Sequence, residues 1–306
     1  MGGKESAPDA CRHRGLRDPP HPQLKGWHAT GPTCILSSFD EPRVEHGHDL
    51  DKFVQIGSLT KALTGTVLTS LASAGMLQLD DPVEQFIPAP AHTGITLRHL
   101  AEHTSGLPRV PPGLHRRDPY ASFDIAALDA LIQRLDSLTT SAPGQTEEYS
   151  NLGYAVLGAA LCAASGASYE DLLQEHVLAP LGVAEVMSDP PPDLRLCRRG
   201  MLGRPRRPWT MDGAILPAGG LWATPRAAAQ VMTALLVDRK LGEPAPSWQT
   251  AGPLLWHNGA TRDASVFTGA MPDGTWIFVH RLSGQAEATD KLAINLLKQA
   301  STTSPH

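Results

Sequence analysis

The 306-residue chain is 41% hydrophobic and 19% charged, values of a globular protein able to bury a substantial core and not of a disordered one. Its net charge of −5 gives no electrostatic reason to expect nucleic acid or an anionic membrane as partner. Four cysteines, Cys11, Cys34, Cys162 and Cys197, are scattered with no C-x-x-C pair, the pattern of neither a disulfide framework nor a zinc site, and no metal or cofactor is expected.

Residues 1–27 read as a loose arm: they are polar, and Pro19-Pro20-His21-Pro22 breaks any helix. Met1-Gly2-Gly3-Lys4-Glu5-Ser6 matches a myristoylation pattern, but one short enough to arise by chance. The arm has no apolar stretch of the secretory kind, and no run approaches the ~20 apolar residues of a membrane span. A cytoplasmic location is the expectation.

Thr33–Phe39 reads as a strand, Asp40-Glu41-Pro42 as a turn and Arg43–Gly47 as the returning partner. Phe53-Val54-Gln55-Ile56 is extended. It leads into a helical run with Leu59, Ala62, Leu63, Val67, Leu68 and Leu71 at three- and four-residue steps, stopped near Gly75. Ser58 falls in the first turn, where backbone N–H groups and the positive dipole end favour an anion. Lys61, three residues on, reaches back over it. A serine beside a lysine at a helix start suits an acyl-transfer nucleophile, although a capping serine and a solvated lysine share the spacing.

From residue 80 to about 215 the pattern is helical: Asp80–Phe86, Thr96–His103, Phe123–Leu135, Tyr154–Ala164 and Tyr169–Leu181. A Pro/Arg-rich loop of about 30 residues follows, with Arg195, Arg198, Arg199, Arg204, Arg206 and Arg207, read as solvated from its prolines and glycines. Pro225–Leu236 is a further helix. Ala264–Met271 and Thr275–Leu282 are strands joined by Pro272-Asp273-Gly274, and Glu287–Ala300 closes as an amphipathic helix.

Strands near both ends with helices between predict an α+β fold: one antiparallel sheet built from both termini, flanked by helices, with a mainly helical domain inserted. The expected division is 28–79 with 216–306 as the α/β domain and 80–215 as the insertion, the active site at their interface.

Two further stretches bear on chemistry. Glu148-Tyr149-Ser150-Asn151 precedes a buried helix and offers a phenol and an amide on one loop; a lysine ammonium nearby should make the phenol easier to ionise. Trp256-His257-Asn258-Gly259-Ala260 leads into a C-terminal strand, where Gly259 permits close approach and a strand edge can bind a carbonyl oxygen.

Taken together, these stretches resemble the serine β-lactamase and penicillin-binding protein superfamily, with its S-x-x-K signature, and most nearly the branch of class C β-lactamases, D-Ala-D-Ala carboxypeptidases and esterases. The resemblance runs over about residues 31–300. It is carried by Ile56–Lys61, Leu77–Val83, Ile95–Leu100, His103–Pro108, Tyr149–Tyr154, Pro180–Gly182 and Pro217–Leu221. It implies a β-lactamase/transpeptidase-like fold, Ser58 as nucleophile, Lys61 as its activating partner and Tyr149 as general base. It further implies Asn151 as a hydrogen-bonding partner of Lys61 and substrate, His257 in place of the lysine of a K-T-G motif, and Ser58 and Ala260 N–H groups as oxyanion donors beside Gly259. The implied reaction is cleavage of an ester or amide in a small-molecule acyl substrate. A biosynthetic acyltransferase or cyclase, in which an amine or alcohol intercepts the acyl-enzyme, and a non-catalytic binding relative are the alternatives.

Overall fold

A computed structural model describes residues 31–114 and 117–303; the arm at 1–27 and its myristoylation pattern lie outside the described residues. The chain opens with β1 (Thr33–Ser37) and β2 (Arg43–Glu45), then β3 (Val54–Gln55) and a 3-10 turn, Gly57–Leu59, that runs directly into α1 (Thr60–Ser73). Helices α2 (Leu97–Ala101), α3 (Ile125–Ile132) and α4 (Asn151–Ser165) follow. Next come α5 (Tyr169–Leu173), a π turn over Gln174–Leu178 and α6 (Ala179–Leu181). The remainder is β4 (Val186–Met187), α7 (Leu216–Gly219), β5 (Trp222–Ala223), α8 (Pro225–Leu236), β6 (Gln249–Ala251), β7 (Leu254–Ala260), β8 (Ser265–Ala270), β9 (Trp276–Arg281) and α9 (Ala286–Thr303).

The main sheet has six antiparallel strands in the order β2-β1-β9-β8-β7-β6, so the N-terminal hairpin pairs with the last strand, Thr33 opposite Arg281 and Ser37 opposite Ile277. Strand alternation divides its side chains between two cores. Ile35, Phe267, Ile277 and Val279 meet Leu292, Ala293, Leu296 and Leu297 of α9 on one face. Cys34, Val266 and Phe278 join the larger core built with α1, α4 and α8 on the other. Burying each of the three α9 leucines is worth about 2 kcal/mol, enough to seat a helix whose remaining surface is polar. This is the α+β architecture expected, with the sheet covered on both faces.

Local chemistry explains the element ends. Ser150 caps α4 by accepting the Gly153 N–H at 2.8 Å, Thr224 caps α8, and Thr96 and His99 form a capping box at α2. The structure departs from expectation at three places. The helix expected from Tyr154 begins at Asn151, so Asn151 projects from a first helical turn and not from a loop. The 256–260 stretch is itself strand β7, paired with a β6 that has too few alternating residues to be read. A second sheet, β3-β5-β4, consists of two-residue strands that carry no period. Among the described residues no single helix is long and apolar enough to cross a membrane.

Candidate active site

Ser58 stands on the 3-10 turn, and two glycines let the neighbouring strand press against it. Gly57 holds φ +51°, and a Cβ there would lie 3.0 Å from the Ala260 nitrogen. A Cβ on Gly259 would lie 2.8 Å from the Ser58 nitrogen and closer still to the Ile56 carbonyl oxygen. The end of β7 is therefore packed backbone to backbone on the serine turn, which only glycine at 259 permits. Ser58, Gly259 and Ala260 all line one cleft of about 690 Å³.

Lys61 points back from α1 with its side chain fully buried. Its Nζ meets Ser58 Oγ at 3.3 Å, donates to Asn151 Oδ1 at 2.7 Å and donates to the Ala218 carbonyl. The Asn151 and Ala218 oxygens can only accept, and between them they use two N–H bonds. The third position faces Ser58 Oγ, as a donor in the ammonium and as a lone pair in the amine. Burial, with the charge of Arg109 adding to it, pushes Lys61 well below the ordinary lysine range, towards the amine.

Tyr149 donates its hydroxyl to Ser58 Oγ in a short hydrogen bond. Burial raises this phenol to about 12, outweighing the Ser58 hydrogen bond and Arg109, both of which favour phenolate. The expectation of an easily ionised phenol is thus corrected: Lys61 Nζ lies 4.7 Å from the Tyr149 ring centre, but burial of the phenol outweighs that proximity. Burial pushes both members of the pair towards their neutral forms, amine and phenol.

His257 is placed behind the cleft wall. Its ring is 2% exposed, Nδ1 donates to the Asn258 carbonyl at 2.6 Å, and the Trp248 ring meets it edge-on. Burial holds it near 4, neutral at pH 7. Asn258, the next residue and on the opposite face of the strand, lines the cleft instead and donates to Asp290 Oδ2 at 2.8 Å. The structure therefore joins Ser58, Lys61, Tyr149 and Asn151 by hydrogen bonds, sets Gly259 and Ala260 beside them, and keeps the His257 ring out of the cleft.

Three neighbours went unread in the sequence. Tyr120 Oη accepts from Asn151 Nδ2 at 2.8 Å, which orients the amide so that its oxygen faces Lys61. His103 packs on the Tyr149 ring with centroids 4.5 Å apart and accepts the Ser150 N–H at Nδ1, so it is neutral there; burial takes it to about 3. The exposed Arg109 lays its guanidinium 4.8 Å over the same ring, and it is the one charged side chain among the described residues lining the cleft. His103 belongs to the His103–Pro108 motif, which gave the family likeness but no role. Tyr120 and Arg109 sit on loops, where no periodicity marks them.

A hydroxyl at a helix start, held between a desolvated lysine and a phenol and faced by the end of an edge-exposed backbone strand, is the architecture of a serine hydrolase. A family model for Beta-lactamase matches residues 40–291, and the chain belongs to the beta-lactamase family. It is 37% identical over 204 residues to the D-alanyl-D-alanine-carboxypeptidase/endopeptidase AmpH of Escherichia coli K12, a match covering 62% of this chain and 51% of that protein. The chain thus spans about half the length of that relative. Beta-lactamase-like protein 2 of Dictyostelium discoideum is 34% identical over 143 residues, 44% of this chain and 26% of its own. The fold matches the crystal structure of a beta-lactamase/D-alanine carboxypeptidase from Pseudomonas syringae at TM-score 0.73 and 16% identity, covering 90% and 94% of the two chains. It also matches a D-amino acid amidase from Ochrobactrum anthropi at TM-score 0.71 and 18% identity, covering 89% and 92%.

Proposed function

We propose that the protein hydrolyses amide bonds in small acyl donors whose leaving group carries a carboxylate. The observation that carries the hydrolytic reading is the single network joining Ser58, Lys61, Tyr149 and Asn151. Ser58 Oγ attacks the acyl carbon while its proton passes to the Lys61 lone pair, and the backbone N–H groups of Ser58 and Ala260 receive the developing oxyanion. As the tetrahedral species collapses, Tyr149 gives its proton to the departing nitrogen. The acyl-enzyme then stands beside a Lys61 ammonium and a Tyr149 phenolate, whose attraction is strong in so desolvated a place.

Deacylation reverses the roles. Water attacks the ester carbonyl and gives its proton to the phenolate, and Lys61 returns a proton to Ser58 Oγ as the product leaves. Tyr149 is accordingly the acid of the first half-reaction and the base of the second, and both groups end as they began. Burial that pushes Lys61 towards its amine and Tyr149 towards its phenol suits this cycle, because protonating Lys61 beforehand would remove the acceptor that the first step needs.

Substrate class follows from the cleft lining. Val110, Leu114, Pro119 and Trp209 make an apolar wall, and no acidic side chain stands among the described lining residues. Arg109 lines the cleft with its guanidinium 4.8 Å over the ring of Tyr149, the group assigned to protonate the leaving nitrogen, so a carboxylate on the leaving group is given this guanidinium fork as its partner. The names of the Escherichia coli and Ochrobactrum anthropi proteins, a D-Ala-D-Ala carboxypeptidase and a D-amino acid amidase, are in keeping with this chemistry. The test is a product assay on D-alanyl-D-alanine peptides with a free or an amidated C-terminus. Arg109→Gln should lower kcat/KM at least tenfold for the free acid and less than threefold for the amide. Equal losses on both would reject the carboxylate assignment, and the absence of any hydrolysed product from ester and amide panels would reject the hydrolase itself.

A further inference from the structure

Between Leu194 and Trp209 the chain holds six arginines and no Asp or Glu. This segment, read from composition as a solvated loop, is a docked hairpin. At its base the Phe53 N–H donates to the Leu194 carbonyl and the Leu196 N–H to the Phe53 carbonyl, while Arg198 and Arg206 share Asp263 at 3.8 and 2.9 Å. Above that base the two legs pair: the Arg206 N–H donates to the Arg198 carbonyl at 2.7 Å and the Gly200 N–H to the Arg204 carbonyl at 2.9 Å. A tight turn closes the tip. Its Gly203 N–H donates to the Gly200 carbonyl at 3.0 Å, and Gly203 holds φ +71°.

Met201 and Leu202 occupy the two central positions of that turn, where Gly, Asn, Asp and Pro ordinarily stand. They are 104% and 87% exposed, the highest values of any large apolar side chains among the described residues. The paired legs hold them out in water, where they contribute nothing to the fold. Basic groups surround them. Arg199 donates from Nη1 to the Gly203 carbonyl at 2.8 Å, which pins its guanidinium beside the tip, and Arg198, Arg204 and Arg207 are exposed with it. The whole-chain charge of −5, which gave no reason to expect an anionic membrane, averages over this local excess.

We propose that this hairpin tip docks the protein on an anionic membrane surface, with Met201 and Leu202 entering the boundary between headgroups and acyl chains and the flanking arginines pairing with lipid phosphates. Guanidinium forks match phosphate oxygens in bidentate pairs. Apolar insertion and basic charge also reinforce one another at an anionic leaflet, where either alone anchors weakly. A nucleic acid fits less well, since no aromatic residue from 195 to 208 offers a face for a base and the apolar tip would stay in water. A second copy of the chain fits less well too, because two such tips would bring like charges together. Arg207 and Pro208 join the hairpin to Trp209, which lines the acyl-transfer cleft, so docking element and cleft are neighbours along the chain.

The test is flotation of the full chain with vesicles of equimolar phosphatidylglycerol and phosphatidylcholine, and with vesicles of phosphatidylcholine alone. The wild type should bind the anionic vesicles at least tenfold more tightly than the neutral ones, and less tightly as salt rises. Met201→Ser with Leu202→Ser and, separately, Arg199→Gln with Arg204→Gln should each lose at least tenfold in affinity for the anionic vesicles, while p-nitrophenyl ester turnover in solution stays within twofold of wild type. In Leu202→Trp, fluorescence should shift to the blue on anionic vesicles and be quenched by lipids brominated on their acyl chains, beyond any change in the wild type. No binding of the anionic vesicles, equal binding of the neutral ones, undiminished binding in either double variant, or no added quenching in Leu202→Trp would overturn the proposal. So would a wild-type dimer that the Met201→Ser, Leu202→Ser variant lacks, which assigns the tip to a second copy, or tighter binding to a single-stranded oligonucleotide than to the vesicles, which assigns it to nucleic acid.

Discussion

A single methyl group at position 259 should separate folding from catalysis. In Gly259→Ala the new carbon would lie 2.8 Å from the Ser58 nitrogen and 2.9 Å from the Leu59 nitrogen, where ordinary contacts begin at 3.4 Å. The Ile56 carbonyl oxygen is nearer still, at 2.4 Å, so the strand or the serine turn must give way by about 1 Å, more than the half-ångström tolerance of a preorganised site. All three obstacles are backbone, so no side chain can swing aside. Overpacking of this kind costs about 1–3 kcal/mol of stability, a loss of a few degrees in Tm that a protein of this size survives. The catalytic cost is larger, because the shift parts the two N–H groups assigned to the oxyanion. Losing one such donor lowers kcat by about 10²–10³. The assay is hydrolysis of a p-nitrophenyl ester alongside a thermal melt, with Gly200→Ala as a control at a site where the nearest atom is 3.8 Å from the added carbon. A folded Gly259→Ala protein with kcat/KM within threefold of wild type would refute the account of the serine turn.

Other consequences follow from the same geometry. Tyr149→Phe should lower turnover of an activated ester by about 10²-fold while Tm stays within a few degrees, and a change under twofold would remove the phenol from the mechanism. Because Lys61 works as an amine, kcat/KM should fall as pH drops through its depressed pKa, and Lys61→Arg, which cannot lose its proton, should be at least 10²-fold impaired at every pH. An activity that rises towards acid would contradict this. Stability should also weaken in acid. His48 Nδ1 lies 2.8 Å from the Asp49 nitrogen and 3.2 Å from the Asp49 carbonyl oxygen, and Nε2 donates to His280, which donates in turn to the Gln55 carbonyl, so the two rings form one buried neutral chain. Burial holds His48 near 4, so between pH 6.5 and about 4 the unfolded chain binds the extra proton and folding stability falls as pH drops. The loss reaches about 3 kcal/mol for this residue at most. Urea unfolding at pH 7.5 and 5.0 should show the fall in the wild type and less of it in His48→Phe; a midpoint unchanged between the two pH values would contradict it.

The parts of the site legible in the sequence are those that a local rule governs. The three-residue step from Ser58 to Lys61 is a property of one helix, and Gly259 declares a close approach by its lack of a Cβ. Tyr149 and Asn151 were visible through their motif, but not the helical start that aims Asn151 at Lys61. The sheet was legible from β1, β8 and β9, whose alternation is long enough to count. Strands β3, β4 and β5, of two residues each, carry no pattern, and the polar run His257-Asn258-Gly259 hid β7. Proximity could be inferred where charge state could not: a lysine near a phenol suggests phenolate until burial of both reverses the sign. Arg109 and Tyr120 owe their places to loop packing, which leaves no mark on the spacing of residues.

The most direct test of the central claim is mass spectrometry of the protein after reaction with a fluorophosphonate probe. One adduct should form per chain, map to the peptide containing Ser58, and be absent from Ser58→Ala. A probe that leaves Ser58 unmodified while the protein turns over an ester, or that labels Ser58→Ala as fully as the wild type, would contradict the account.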